Sequence, residues 1–109
     1  MSVDVERLQV LRRRAGRARG ADLGVRPRYD VGTYVWARFG QTQGILLARV
    51  LSPHPMPHNS AIGGVRDRFE VICFRLDIGR WNERPTFRGI LRALIPSELA
   101  ELRAAGVIS

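Results

Sequence analysis

The 109-residue chain contains no lysine: all 18 of its basic side chains are arginine, against 10 acidic ones, for a formal net charge of +8. It has a single cysteine, which excludes an internal disulfide and fits a reducing compartment. No apolar run approaches the roughly 18 residues that a membrane-spanning helix needs, so the expectation is a soluble protein. At the start, arginines follow the short apolar patch instead of preceding it, which is not the order of a secretory signal. The expected location is therefore cytoplasmic, with nuclear or virion-associated placement as alternatives. Glycine-rich phosphate loops, paired carboxylate motifs and Ser-His-Asp patterns are also missing, and this argues against an enzyme. The length allows one domain, and the 45% hydrophobic share allows one modest core.

The charge is unevenly placed. Residues 1–28 carry eight arginines against three acids, a net +5, whereas the remaining 81 residues net only +3. Within the basic segment, Val3 to Arg19 reads as a short helix with Asp4 as its cap and Leu8, Leu11 and Ala15 on one face. Such a narrow apolar stripe is marginal alone, and 20–27 reads as a linker, so residues 1–28 are expected to form an arm. The compact part is expected to span 29–109.

From Thr33 the hydrophobic period changes to two. Thr33 to Phe39 sets Tyr34, Trp36 and Arg38 against Val35, Ala37 and Phe39; Ile45 to Leu51 then reads as a second, mostly buried strand that pairs with it. Phe69 to Arg75 reads as a third strand and Thr86 to Ile95 as a fourth. In that fourth strand Phe87, Gly89, Leu91 and Ala93 should face one way, and Arg88, Ile90 and Arg92 the other. Pro96 to Gly106 is the best helix in the chain, with Ser97 as its expected cap and Gly106 as its stop. The connection from Ser52 to Gly64, with three prolines and two histidines, reads as a long functional loop. The fold class is mainly β: a small half-open barrel of four to five strands with a C-terminal helix and an N-terminal arginine-rich helical arm.

The stretch Val31-Gly32-Thr33-Tyr34-Val35-Trp36-Ala37-Arg38, followed by Gly44-Ile45-Leu46-Leu47-Ala48-Arg49-Val50, resembles the opening hairpin of PWWP and Tudor-type SH3-like barrels. The resemblance covers residues 31–51, and more loosely 69–103, where the third strand and the Ile95-Pro96 step fall in the expected places. It implies an SH3-like barrel with Tyr34 and Trp36 as groove aromatics. The family's signature at the start of the second strand, which contributes to its methyl-lysine cage, is replaced here by Thr42-Gln43-Gly44-Ile45-Leu46-Leu47.

Arginine's planar fork donates two hydrogen bonds to a phosphate and never loses its charge. The candidate nucleic-acid contacts are therefore Arg12, Arg13, Arg14, Arg17 and Arg19 on the arm, with Arg38 and Arg49, and also Arg75 and Arg88, on the barrel. Tyr34 and Trp36 are the candidate stacking platform for bases, with Trp81 as a further aromatic; the competing reading is that Trp36 fills the core of the barrel, as aromatics in a domain of this size more often do. His54 and His58, four apart, would need Asp67 or Cys73 to complete a metal site; the intervening prolines favour an extended, partner-touching loop instead. No metal, cofactor or small-molecule substrate is expected. Cys73, flanked by Ile72 and Phe74, reads as a small buried hydrophobe. The functional expectation is a non-catalytic DNA- or RNA-binding module. One alternative is a structural protein that docks its arm and the 52–64 loop onto partner subunits, or onto its own copies, in a viral or ribonucleoprotein assembly. A second alternative is a PWWP/Tudor-like histone-tail reader.

Overall fold

Alternation of apolar and polar side chains builds the central hairpin. In the computed structural model, β1 (Tyr34–Arg38) and β2 (Ile45–Val50) pair antiparallel, from Tyr34 opposite Arg49 to Arg38 opposite Ile45. The structure describes residues 3–17, 28–38, 44–53, 56–60 and 64–109, with 16–17, 56–60 and 64–67 described by their backbone. Around the hairpin lie α1 (Val5–Arg17), β3 (Met56–Ser60), β4 (Gly64–Arg75), β5 (Arg80–Trp81), β6 (Thr86–Arg88), β7 (Ile90–Ala93) and α2 (Pro96–Ala104). The protein is thus mainly β, and its described residues form one seven-stranded antiparallel sheet with two helices. Its main path runs β3-β4-β2-β1-β7, with β5 and β6 also paired to β4. No helix among the described residues is long and apolar enough to cross a membrane.

Two elements depart from the sequence expectation. β3 lies inside the segment read as a loop. Met56 to Ser60 has no apolar alternation and carries Pro57, but it pairs with residues 64–68 of the long β4 and ends the sheet path, where a missing N–H is tolerated. The expected fourth strand is interrupted at Gly89. β6 pairs with β4 and β7 with β1, so one backbone stretch, 86–93, meets both sides of the sheet. A bulge opposite Trp36 and Ala37 then breaks strict alternation. Ile90 and Ala93, expected on opposite faces, both join the cluster of Val35 and Ala37.

The sheet is buried on both faces. On one side Val35, Ala37, Ala48, Val50, Phe69, Val71, Cys73 and Ile90 pack together with Tyr29. On the other, Trp36, Ile45, Leu47 and Phe74 are covered by Leu8, Leu11 and Ala15 of α1 and by Leu102, Ala105, Val107 and Ile108 at the C-terminal end. The first helix therefore does not stand outside the core as an arm. Its stripe is narrow, as read, but Leu8, Leu11 and Ala15 are at most 2% exposed because the sheet supplies the partner that the helix lacks on its own.

Both helices end on specific contacts. The Arg7 N–H donates to Asp4 Oδ1 at 3.1 Å, the expected cap of α1, while the Asp4 N–H donates to the Ala105 carbonyl at 2.9 Å and ties α1 to the end of α2. Ser97 does not cap α2. Ile95 occupies the capping position, Pro96 follows it, and the Glu98 carboxylate accepts the Ile95 N–H at 3.0 Å. At the far end Gly106 has φ +76°, with Gly106 N–H to Arg103 O at 3.1 Å and Val107 N–H to Leu102 O at 3.0 Å. This paired closure needs the left-handed backbone that glycine adopts without strain.

Candidate nucleic-acid interface

The charges of α1 are ordered along its length. Asp4 and Glu6 sit at its start, while Arg12, Arg13, Arg14 and Arg17 fill its last turns. That order complements the helix dipole, by about 0.3–1 kcal/mol for a charge in the terminal turn. Arg12 serves the fold more directly. It is half-buried, and its Nε donates to the Ile45 carbonyl and its Nη1 to Gln9 Oε1 at 3.2 Å. Arg13 and Arg14 are exposed. Arg17 closes the helix, and Arg19 lies outside the described residues.

Ile45 is the junction between this helix end and the sheet. Its carbonyl receives Arg12, and across the hairpin its register partner is Arg38, an exposed residue whose backbone N–H donates to Gly89 O at 2.8 Å. The structure thus brings Arg12 and Arg38 together at the turn end of the β1–β2 hairpin, while the exposed Arg13 and Arg14 leave the helix about 100° and 200° round from Arg12. Arg7, on the flank facing α2, is drawn instead to Glu101 at 3.4 Å. Among the described residues, no carboxylate forms an ion pair with Arg13, Arg14, Arg38 or Arg49.

Arg49 and Tyr34 form a second, separate group at the opposite end of the hairpin, about 13 Å along the strand from Ile45. The exposed Arg49 guanidinium lies 5.9 Å from the centre of the Tyr34 ring, a cation–π contact. It passes beside Gly32, whose φ of +92° suits glycine and where a Cβ would come within 3.4 Å of Arg49 Nη2. Tyr34 is half-buried and leans on Trp81, with ring centres 5.9 Å apart. Trp81 in turn meets Phe74 edge-on at 5.5 Å and donates its Nε1–H to the Val107 carbonyl at 3.1 Å.

Trp36 is not available for stacking. It is 0% exposed, beneath both helices, and its Nε1 lies 3.3 Å from each carboxylate oxygen of Glu98. Alternation groups Trp36 with Tyr34 and Arg38 on one face of the hairpin, and that face is the one the helices cover. The same burial removes Trp36 from the groove role that the SH3-like resemblance implies. Of the two remaining candidates on the sheet, Arg75 is held by Asp77, Nε to Oδ1 at 3.1 Å. Arg88 is half-buried beside Cys73, whose thiol burial pushes up and the Arg88 charge partly pulls back. A thiol kept protonated in this way is a poor nucleophile. His54 lies outside the described residues, and His58 enters β3 opposite Arg66, so the proposed histidine pair is not placed.

One constellation was missed in the sequence. Arg92 grips Glu98 with both nitrogens, at 2.8 and 3.0 Å, while the same carboxylate accepts from Trp36 and from the Ile95 N–H. Burial raises the Glu98 carboxyl, but the Arg92 and Ile95 hydrogen bonds outweigh it and hold the group below the usual carboxylate range. The available signal was a glutamate three residues after a helix cap, the second half of a capping box. Comparison with family models, curated proteins and solved structures finds no match to this chain.

Proposed function

We propose that the protein is a non-catalytic nucleic-acid-binding module built on a small SH3-like half-open barrel. The barrel reading is supported by the 86–93 stretch, which pairs with β4 through one end and with β1 through the other. The binding reading rests on one observation. Arg13 and Arg14 on α1 and Arg38 on β1 stand exposed on elements fixed by the core, and among the described residues no carboxylate forms an ion pair with them. Guanidinium groups held in this way suit phosphate oxygens and leave little ordering to be done on binding. Arg49 supplies a second contact at the far end of the hairpin.

The reading predicts that the purified protein carries nucleic acid. A high ratio of absorbance at 260 to 280 nm is expected after purification at low salt, falling to that of pure protein after nuclease and high-salt treatment. A protein-like ratio throughout would count against it. Docking onto partner subunits has one observation in its favour: β3, within the 52–64 segment, ends the sheet path. Partner capture that survives nuclease treatment is the result that would favour this second reading.

A further inference from the structure

We infer that the ligand is double-helical nucleic acid gripped through its phosphates, not a single strand whose bases are stacked. This rests on the nucleic-acid reading above and narrows it.

Proteins that bind single strands combine a basic groove with aromatic faces on which successive bases stack. Here no aromatic ring among the described residues is exposed. Trp36, Phe74, Phe69 and Tyr29 are buried, and Tyr34, Trp81 and Phe87 are half-buried. The rings are also spent on one another. Tyr29 meets Phe69 edge-on at 5.2 Å, and Trp81 lies between Tyr34 and Phe74. Both tryptophan N–H groups have protein acceptors, Glu98 and the Val107 carbonyl.

What the surface does offer is fixed positive charge. Arg13 and Arg14 are successive residues of a helix, so their side chains leave its axis about 100° apart and reach toward different phosphates. The helix is already docked, through Leu8, Leu11, Ala15 and the Arg12 bond to Ile45. It therefore presents a preformed array instead of a chain that folds around its target. A duplex matches this, because it is rigid and carries one charge per about 1.7 Å of axis, twice the density of either strand. A flexible single strand gives up more freedom to meet a fixed array and finds no exposed ring among the described residues to stack on. The shared chemistry is the double row of phosphates, which duplex DNA and duplex RNA both supply.

The test is a fluorescence-anisotropy titration of the full chain at one salt concentration. The probes are a labelled duplex of about two helical turns, in DNA and in RNA, and one strand of each alone. Both duplexes are expected to bind at least about tenfold more tightly than their single strands, with no quenching of tryptophan emission. The Arg13→Ala/Arg14→Ala variant is expected to lose about tenfold or more in duplex affinity with its circular dichroism unchanged. A single strand that binds as tightly as the duplex, or that quenches the tryptophans, overturns the duplex inference and leaves the nucleic-acid reading intact. If no probe binds, both are overturned.

Discussion

Glu98→Ala is expected to destabilise the fold by about 3–5 kcal/mol, because removing one partner of a buried, hydrogen-bonded ion pair leaves the other uncompensated. Both side chains are little exposed, 13% for Arg92 and 8% for Glu98. The alanine would leave three donors without their acceptor at once, namely the Arg92 guanidinium, the Trp36 indole N–H and the Ile95 N–H. For a domain of this size the loss is a large share of a total of about 5–15 kcal/mol, and it is measurable by urea or thermal denaturation. Glu98→Gln keeps the shape and loses the charge, so it should fall between wild type and alanine. A loss below about 1 kcal/mol for alanine would show that the clamp contributes little.

The same carboxylate sets a pH dependence. Its folded pKa is depressed, so its contribution is present above the unfolded glutamate value of about 4.3 and is lost as pH falls through the folded value. Wild type should therefore lose stability relative to Glu98→Gln as the solution is acidified through that window. Parallel pH profiles for the two proteins would contradict this origin.

Leu8→Ala and Leu11→Ala are each expected to cost about 2–5 kcal/mol, the usual range for truncating a fully buried leucine. These side chains are 1% and 2% exposed and lie in the cluster that holds Trp36, Leu47 and Phe74. On the same helix, Arg13→Ala should change stability by no more than about 0.5 kcal/mol, since it removes an exposed side chain and substitutes a better helix former. The contrast is the point. If α1 were an undocked arm, all three substitutions would be silent in denaturation. A chain lacking residues 1–17 should likewise be unstable, because its sheet would present Ile45, Leu47 and Trp36 to water.

Local pattern carried much of the fold. The period-two stretch around Trp36 placed β1 and β2 to within a residue or two, and the Asp4 cap with the 8-11-15 spacing placed a helix over Val3 to Arg19, where α1 runs Val5–Arg17. What local pattern lacks is any record of pairing between distant segments. β3 exists because β4 extends beyond its pairing with β2 to pair with it, although Met56-Pro57-His58-Asn59-Ser60 has no strand signature of its own. The bulge that brings Ile90 and Ala93 to one face is likewise set by the register against β1. At the site, the arginine cluster was legible and its division of labour was not. Nothing in the run Arg12-Arg13-Arg14 says that the first binds Ile45 while the next two face solvent. Trp36 shows the limit most directly, because alternation gives its face but not what covers that face.

The central claim is that the exposed arginines of the docked helix α1, with Arg38 on the hairpin, hold nucleic-acid phosphates. Its most direct test is the salt dependence of duplex binding for wild type and for the Arg13→Ala/Arg14→Ala variant. The log of the binding constant should fall linearly with log salt, with a slope of about −0.9 per phosphate contact. The variant's slope should be shallower by about two, one for each lost contact. A binding constant that does not change with salt, or the same slope in both proteins, would contradict the account.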